Sequence, residues 1–505
     1  MDLAHAIERH AAFTPNKLAI RCDDHDIDYA ELAERSRIAC RRLMALGVGA
    51  GDVVAYLGFN HPELLVLLLA CARLRAILLP LNWRLAAPEH ARVLADAKPR
   101  AVIVGTEFLS HADILRGAVT SPAWLSLDAA PEGWQQWGQF GETGSVGAPA
   151  EAAPDAPVLL CYTSGSTGAP KGVVLTQGAL FWNAANSTHM HDLTSADRVL
   201  TTLPMFHVGG LNIQTVPALH AGASVVLHAK FDPGAALEAI ERHRITLAVF
   251  VPAQFTAMME HPLWQTADLS SLRVLTTGST IVPEQFVRRV HERGVMLIQV
   301  YGSTETCPIA SYVRREDADR KAGSAGLPAL YCALRVVDRE GRDVPAGEDG
   351  EIIVRGPNVM RGYWNAPHLT SEAIRDGWYR SGDVGHFDDE GYLHVVARKH
   401  DMIISGGENI YPAEIEAVLG DCPDIVEACV VGQPDERWGE TAVAAVVPKP
   451  GARISEAQVM ALFEGRIAHY KRPRAVVFVE TLPRNALGKV QRDDVKTMLA
   501  SAAAA

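Results

Sequence analysis

The chain has 505 residues, too many for one hydrophobic core and enough for about two to four domains of roughly 150 residues. Its 47 Lys+Arg against 59 Asp+Glu give a formal charge of −12 with no long basic run, which disfavours grip on a nucleic-acid backbone. Hydrophobic residues make up 48% and charged residues 21%, which excludes wholesale disorder. The longest apolar run, 64–72, is closed by Glu63 and Arg73, far short of the roughly 20 residues that span a bilayer. No basic segment followed by an apolar one opens the chain, and none of the eight cysteines forms a Cys-x-x-Cys pair. Reduced thiols in a cytoplasm are therefore expected.

In chain order, the pattern predicts a helix over 29–46, a strand over 53–57, a helix over 63–74 and a strand over 76–79. The Ala/Pro-rich stretch 147–157 reads as a surface linker. β-Branched runs at 225–227, 245–251, 272–275 and 295–300 alternate with helical stretches at 233–242, 252–260 and 283–293, each with Pro near its start. That rhythm predicts parallel βαβ units. Beyond residue 324 come short strands at 334–337, 351–354 and 392–396, with turns at 338–341 and 388–391. A helix over 412–419 is expected to stop at Gly420, and the Ala-rich end, 501–505, to fray.

The chemistry concentrates in four segments. In Thr163-Ser164-Gly165-Ser166-Thr167-Gly168-Ala169-Pro170-Lys171-Gly172, small residues let backbone N–H groups approach an anion, while hydroxyls and one ammonium add donors and charge. It is not a nucleotide P-loop: Gly-Lys-Ser/Thr is absent, and the following 172–175 reads as a strand rather than a helix. Tyr301-Gly302-Ser303-Thr304-Glu305 closes the last parallel strand, where open α/β sheets bind ligands; its ring suits a base and its carboxylate a hard cation. Tyr379-Arg380-Ser381-Gly382-Asp383 reads as a carboxylate on a glycine turn, suited to a sugar diol. Arg398-Lys399-His400-Asp401 then leads to Gly406-Gly407-Glu408. Singly, each has an equally good reading as a turn or cap; their order makes coincidence a poor explanation.

In that order the segments resemble the adenylate-forming superfamily of acyl- and aryl-CoA synthetases, luciferases and peptide-synthetase adenylation domains. The resemblance runs from Asp28-Tyr29-Ala30-Glu31-Leu32 to Asn485-Ala486-Leu487-Gly488-Lys489. It implies an α/β fold with a large N-terminal domain, 1–399, of doubly wound, mostly parallel sheets plus a small β-rich subdomain. A small mobile α+β C-terminal domain, 400–505, would carry the catalytic lysine. Periodicity alone shows no boundary at 400.

The implied reaction is ATP-dependent: a carboxylate attacks the α-phosphate to give acyl-AMP and pyrophosphate, and the CoA thiolate then displaces AMP. Positioning and charge stabilisation supply most of such catalysis. By the same resemblance, Lys489, His207, Lys171 and Glu305 are the catalytic group, and Lys489 would bridge the acid and the α-phosphate. ATP would be held by Thr163, Ser164, Gly165, Ser166, Thr167, Gly168, Lys171, Gly278, Gln299, Tyr301, Gly302, Thr304, Asp383, Arg398 and Lys489, with Mg2+ on Thr163 and Glu305. Gly406, Gly407, Trp438, Tyr470, Arg472 and Arg474 would meet CoA. The acyl pocket would take His207, Val208, Gly209, Phe250, Gln254, Thr277, Gly278, Val300 and Ile309, with no Arg or Lys to pair a second carboxylate.

The hinge falls on His400, where the family generally has Asp or Lys, and Ala397 stands where Gly is usual. A histidine there would make domain alternation pH-sensitive near neutrality. The partners implied are a small carboxylic acid, ATP and CoA, with no nucleic acid and no transmembrane segment; homodimerisation is left open. The acid is aromatic, phenylpropenoid-like, or a medium-to-long-chain fatty acid. Sixteen residues separate Lys489 from residue 505, which disfavours a peptide-synthetase module with its carrier domain. Two alternatives stand: an acyl-AMP ligase delivering to a thiol other than CoA, and a nucleotide-binding sensor or ATPase without ligase activity.

Overall fold

The structure, a computed structural model, describes residues 3–119, 123–128, 131–142, 153–163, 170–278, 282–398, 401–405, 408–435, 439–464, 466–467, 471–485 and 488–503. The chain divides into two compact units, residues 1–334 with 353–380 and residues 335–352 with 381–505.

The first unit holds two large mixed sheets with mostly parallel centres. One has eight strands in the order Gly362–Tyr363, Lys171–Thr176, Pro157–Thr163, Ile77–Pro80, Val53–Leu57, Ala101–Val104, Ala123–Ser126 and Gln135–Gln136. The other has nine, and at its heart Arg198–Thr201, Leu247–Val249, Val274–Thr277 and Leu297–Tyr301 run parallel. Ser311–Tyr312 then pairs antiparallel with Leu297–Tyr301, so residue 301 does end the last parallel strand.

Helix starts follow local chemistry. The Asp28 carboxylate accepts from the Glu31 N–H at 2.8 Å ahead of helix Tyr29–Ala45, and Asp232 does the same for Ala235 at 2.8 Å ahead of Pro233–Arg242. The apolar run 64–72 forms the buried body of helix Pro62–Leu74. Around the nine-stranded sheet, Phe250, Phe255, Leu275 and Val287 are wholly inaccessible and share one core cluster.

The second unit has a sheet built on the antiparallel pair Ile425–Asp435 and Gly439–Pro448, with Ala475–Phe478 added in parallel. Ile415, Val430, Ala444 and Phe463 fill its core at 0% exposure.

Three expectations are corrected. Helix Pro412–Gly420 includes Gly420, which takes no left-handed conformation; Asp421, at φ −74°, forms the cap. Residues 501–503 are not frayed but continue helix Arg492–Ala503, since alanine is the best helix former and Ser501 Oγ donates to the Thr497 carbonyl at 3.0 Å. Asp383 lies not on a turn but inside strand Trp378–Phe387, opposite Arg398, because ladder pairing outweighs the turn preference of Ser-Gly-Asp. Gly382 takes φ +70° within that strand. Most of the 147–157 linker lies outside the described residues. Among the described residues no helix is long and apolar enough to cross a membrane.

Candidate active site

The loop 163–172 joins two strands as expected. Pro157–Thr163 and Lys171–Thr176 pair antiparallel with Thr163 opposite Lys171, and Thr163 Oγ1 donates to the Lys171 carbonyl at 3.5 Å. Ser164, Gly165, Ser166, Thr167 and Gly168 lie outside the described residues.

The next strand of this sheet, Gly362–Tyr363, brings in a residue that the sequence reading did not single out. The Tyr363 hydroxyl donates to Glu305 Oε1 at 2.9 Å, and the Lys171 ammonium lies 5.6 Å from the Tyr363 ring centroid. Burial first, and the Glu305 carboxylate second, push the Tyr363 hydroxyl well above its ordinary pKa, so it stays protonated and donates. Backbone bonds hold Glu305 in turn: its carbonyl accepts from the Met360 N–H at 2.7 Å. Wholly buried Asn358 donates to the Thr306 and Ile309 carbonyls at 2.6 and 2.7 Å. Lys171 and Glu305 thus both approach one tyrosine, and Thr163 pairs with Lys171 on the next strand. The cue for Tyr363 was the Arg361-Gly362-Tyr363-Trp364 segment, whose value appears only once it pairs with the loop strand.

The glycines are sterically required. A Cβ on Gly302 would lie 1.8 Å from the Pro308 carbonyl oxygen, and one on Gly278 would lie 2.5 Å from that of Val300. Gln299 is nearly buried and its Oε1 accepts from the Gly323 N–H at 2.9 Å, so this side chain also ties down a neighbouring loop. Tyr301 is half-buried, and Thr304 is buried.

Of the expected acyl-side residues, Val208, Gly209, Phe250, Thr277, Val300 and Ile309 are buried. Phe250 packs edge-on to Phe255 at 5.4 Å. Gln254 Oε1 accepts from the Val251 N–H at 3.3 Å at the start of its own helix. His207 is half-buried and caps helix Val208–Asn212, its Nδ1 accepting from the Gly209 N–H at 3.0 Å.

The remaining positions belong to the second unit. Asp383 is buried and faces Arg398 across the strand pair; its N–H donates to Ser381 Oγ at 3.0 Å. Lys489 is exposed. Asn485 and Lys489 exchange backbone contacts, with Asn485 N–H to Lys489 carbonyl at 2.8 Å and Lys489 N–H to Asn485 Oδ1 at 3.0 Å; Gly488 takes φ +80°. Arg472 is half-buried, its Nε without a partner among the described residues, and Arg474 is exposed. His400, Gly406, Gly407, Trp438 and Tyr470 lie outside the described residues.

This pairing of a Ser/Gly/Thr loop with a held Tyr-Gly-x-Thr-Glu carboxylate matches a known profile. The profile described as AMP-binding enzyme fits residues 7–364, and that of the AMP-binding enzyme C-terminal domain fits 414–489. The chain belongs to the AMP-binding enzyme family.

Within the family it is 55% identical over 502 residues to an indoleacetate–CoA ligase of Aromatoleum aromaticum, covering 99% of this chain and 98% of that protein. It is 43% identical to a feruloyl-CoA synthase of an Amycolatopsis species, covering 97% of each. Among solved structures it resembles the o-succinylbenzoate CoA synthetase of Bacillus subtilis in complex with its acyl-adenylate intermediate. That match has TM-score 0.87 and 32% identity, and covers 97% of this chain and 98% of that one. The same Bacillus enzyme is also known with ATP and a magnesium ion.

Members of this AMP-binding family of the acyl- and aryl-CoA synthetase type are AMP-forming acid–thiol ligases that use ATP, Mg2+ and CoA, and this chain is one of them. Its residues suit the metal. Glu305 and Thr163 offer hard oxygens, and among the described residues no group of three or more His, Cys, Asp or Glu side chains forms a closed metal cage. Mg2+ is ordinarily bound through one or two protein oxygens completed by substrate phosphates and water.

Proposed function

We propose that the protein ligates CoA to a carboxylic acid carrying an aromatic ring, through an acyl-adenylate. What carries this reading is the apolar, uncharged set of expected acyl-side residues. Phe250, Val300 and Ile309 are buried apolar groups, and no Arg or Lys stands among the expected acyl-side positions to pair a second carboxylate. The 55% identity to a ligase named for indoleacetate supports it.

In this reading Thr163, Lys171 and the loop between them hold the β- and γ-phosphates that leave as pyrophosphate. Lys171 offsets their charge, and the Tyr363 hydrogen bond fixes the Glu305 carboxylate towards the metal it would share with Thr163; Mg2+ there would neutralise phosphate charge. Tyr301, Gly302, Thr304, Gly278 and Gln299 line the nucleotide, and Asp383 with Arg398 takes the ribose. The Lys489 ammonium bridges the attacking carboxylate and the α-phosphate, two anions that otherwise repel.

In the second half-reaction, residues 400–505 turn about His400, His207 gates the thiol path, and Arg472 and Arg474 meet the nucleotide end of CoA. All eight cysteines are free, as in a reducing cytoplasm.

The test is acid-dependent pyrophosphate release with ATP, Mg2+ and CoA across arylacetates, hydroxycinnamates, benzoates and C2–C18 fatty acids, with thioesters identified by mass. An aryl acid should win. Preference for a fatty acid would overturn the aryl reading, acyl-AMP without a CoA thioester would point to another thiol, and ADP release without any acid would indicate an ATPase.

A further inference from the structure

One carboxylate outside the expected site, that of Asp96, ties together segments far apart in the chain. Asp96 is half-buried and stands one residue before the end of helix Ala87–Ala97. Its Oδ2 accepts from the Tyr162 hydroxyl, and its Oδ1 accepts from Asn365 Nδ2 at 3.2 Å. The Asp96 carbonyl accepts from the same Asn365 amide at 3.1 Å and from Trp364 Nε1 at 3.4 Å. Burial first, and Asp96 second, raise the Tyr162 hydroxyl well above its ordinary pKa, so it stays protonated and donates. Each carboxylate oxygen thus meets its own donor, an arrangement that an amide, with a single acceptor oxygen, could not reproduce.

The segments that Asp96 joins are those that carry the ends of the loop 163–171. Tyr162 directly precedes Thr163 and pairs in register with Gly172, which directly follows Lys171. On the other side, the Trp364 N–H donates to the Gly172 carbonyl at 2.7 Å. Gly172 is closed in between them: a Cβ there would lie 3.0 Å from Trp364 Cβ and 3.1 Å from Tyr162 Cζ. The strand that enters the loop and the strand that leaves it are therefore gripped by two aromatic side chains. Both of those side chains end on Asp96.

We propose that Asp96 is a positioning residue for ATP. Through Tyr162 and the Trp364–Asn365 segment it fixes where Thr163 and Lys171 stand, and so sets the grip on the β- and γ-phosphates without touching the nucleotide. This inference rests on the reading that Thr163 and Lys171 hold those phosphates. AMP lacks both of them, so the role separates ATP from AMP, whereas a general loss of structure would weaken both nucleotides.

The experiment measures, by calorimetry on the full-length enzyme, the dissociation constants of MgATP and of AMP. Asp96→Ala should weaken MgATP by about tenfold and leave AMP within about twofold. Tyr162→Phe, which deletes only a hydroxyl, should weaken MgATP by about threefold. The double variant should stay within about twofold of Asp96→Ala, because both changes cut one path. Lys171→Ala tests the underlying reading and should also weaken MgATP selectively. Equal weakening of MgATP and AMP by Asp96→Ala overturns the positioning role. So does MgATP affinity unchanged in both Asp96→Ala and Tyr162→Phe while Lys171→Ala loses it, a result that leaves the phosphate reading standing. Unaltered MgATP affinity in Lys171→Ala removes that reading and this inference with it. If Asp96→Ala does not fold, Tyr162→Phe decides: selective loss of MgATP supports the role, and no loss overturns it.

Discussion

Two parts of the machinery are held in opposite ways. In the first unit Glu305 is clamped: its side chain takes a bond from Tyr363, its carbonyl takes one from Met360, and Asn358 ties down the backbone immediately after it. In the second unit Lys489 stands exposed, its N–H donating to Asn485 Oδ1 and the preceding Gly488 in the left-handed region. The carboxylate proposed to share a metal with Thr163 gains from such preorganisation. The lysine proposed to act in the first half-reaction alone gains instead from a long, exposed side chain. The difference teaches that removing either residue should damage chemistry, yet only changes in the first unit should also be felt in the fold.

The largest effect tests the exposed side. Lys489→Ala should slow acid-dependent pyrophosphate exchange by about a thousandfold, while thioester formation from supplied acyl-AMP stays within about threefold and the melting temperature barely moves. Equal loss in both steps would remove the assigned role.

On the clamped side, Glu305→Gln should lower adenylation kcat/KM by about a hundredfold and raise the Mg2+ concentration for half-maximal rate, because a neutral amide is a poor magnesium ligand. An unchanged Mg2+ titration would place the metal elsewhere.

The framework of the first unit should also carry a pH signature. His191, pushed by burial from its ordinary value near 6.5 to about 4, is neutral in the fold and binds a proton more readily when unfolded. Its contribution is therefore fully present above about pH 6.5 and is lost as pH falls towards 4, amounting to roughly 2–3 kcal/mol by pH 4.5. The urea midpoint of the first unit should drop over that window, and His191→Gln should flatten the drop. A variant with the wild-type pH slope would show that other groups cause it.

The smallest effect sharpens the contrast itself. Tyr363→Phe deletes one hydrogen bond to Glu305 and keeps the ring beside Lys171, so adenylation should fall only about three- to tenfold, with a modest rise in Mg2+ requirement. An unchanged enzyme would mean that the backbone clamp alone suffices.

The parallel core was legible because its signals are local. Strand Val53–Leu57 and helices Pro233–Arg242 and Pro252–Glu260 appear with the boundaries that β-branched runs and N-terminal prolines predict. Helix Gln177–His191 escaped notice because Asn183, Asn186, Ser187 and His191 are buried along with its apolar residues, so it shows no amphipathic stripe. Tyr363 escaped for another reason: its partner Glu305 is 58 residues away in the chain.

Sequence order and residue chemistry alone pointed to the family, its loop-and-carboxylate signature and the lysine of its Asn-Ala-Leu-Gly-Lys segment, since each depends on a short run of particular residues. Tertiary structure decided what needs two distant segments at once. It turned the Ser-Gly-Asp segment into a paired strand and placed a tyrosine against Glu305. Hydrogen-bond direction at a buried group is set by the neighbours that burial forces upon it, and those neighbours come from the fold rather than from adjacent residues.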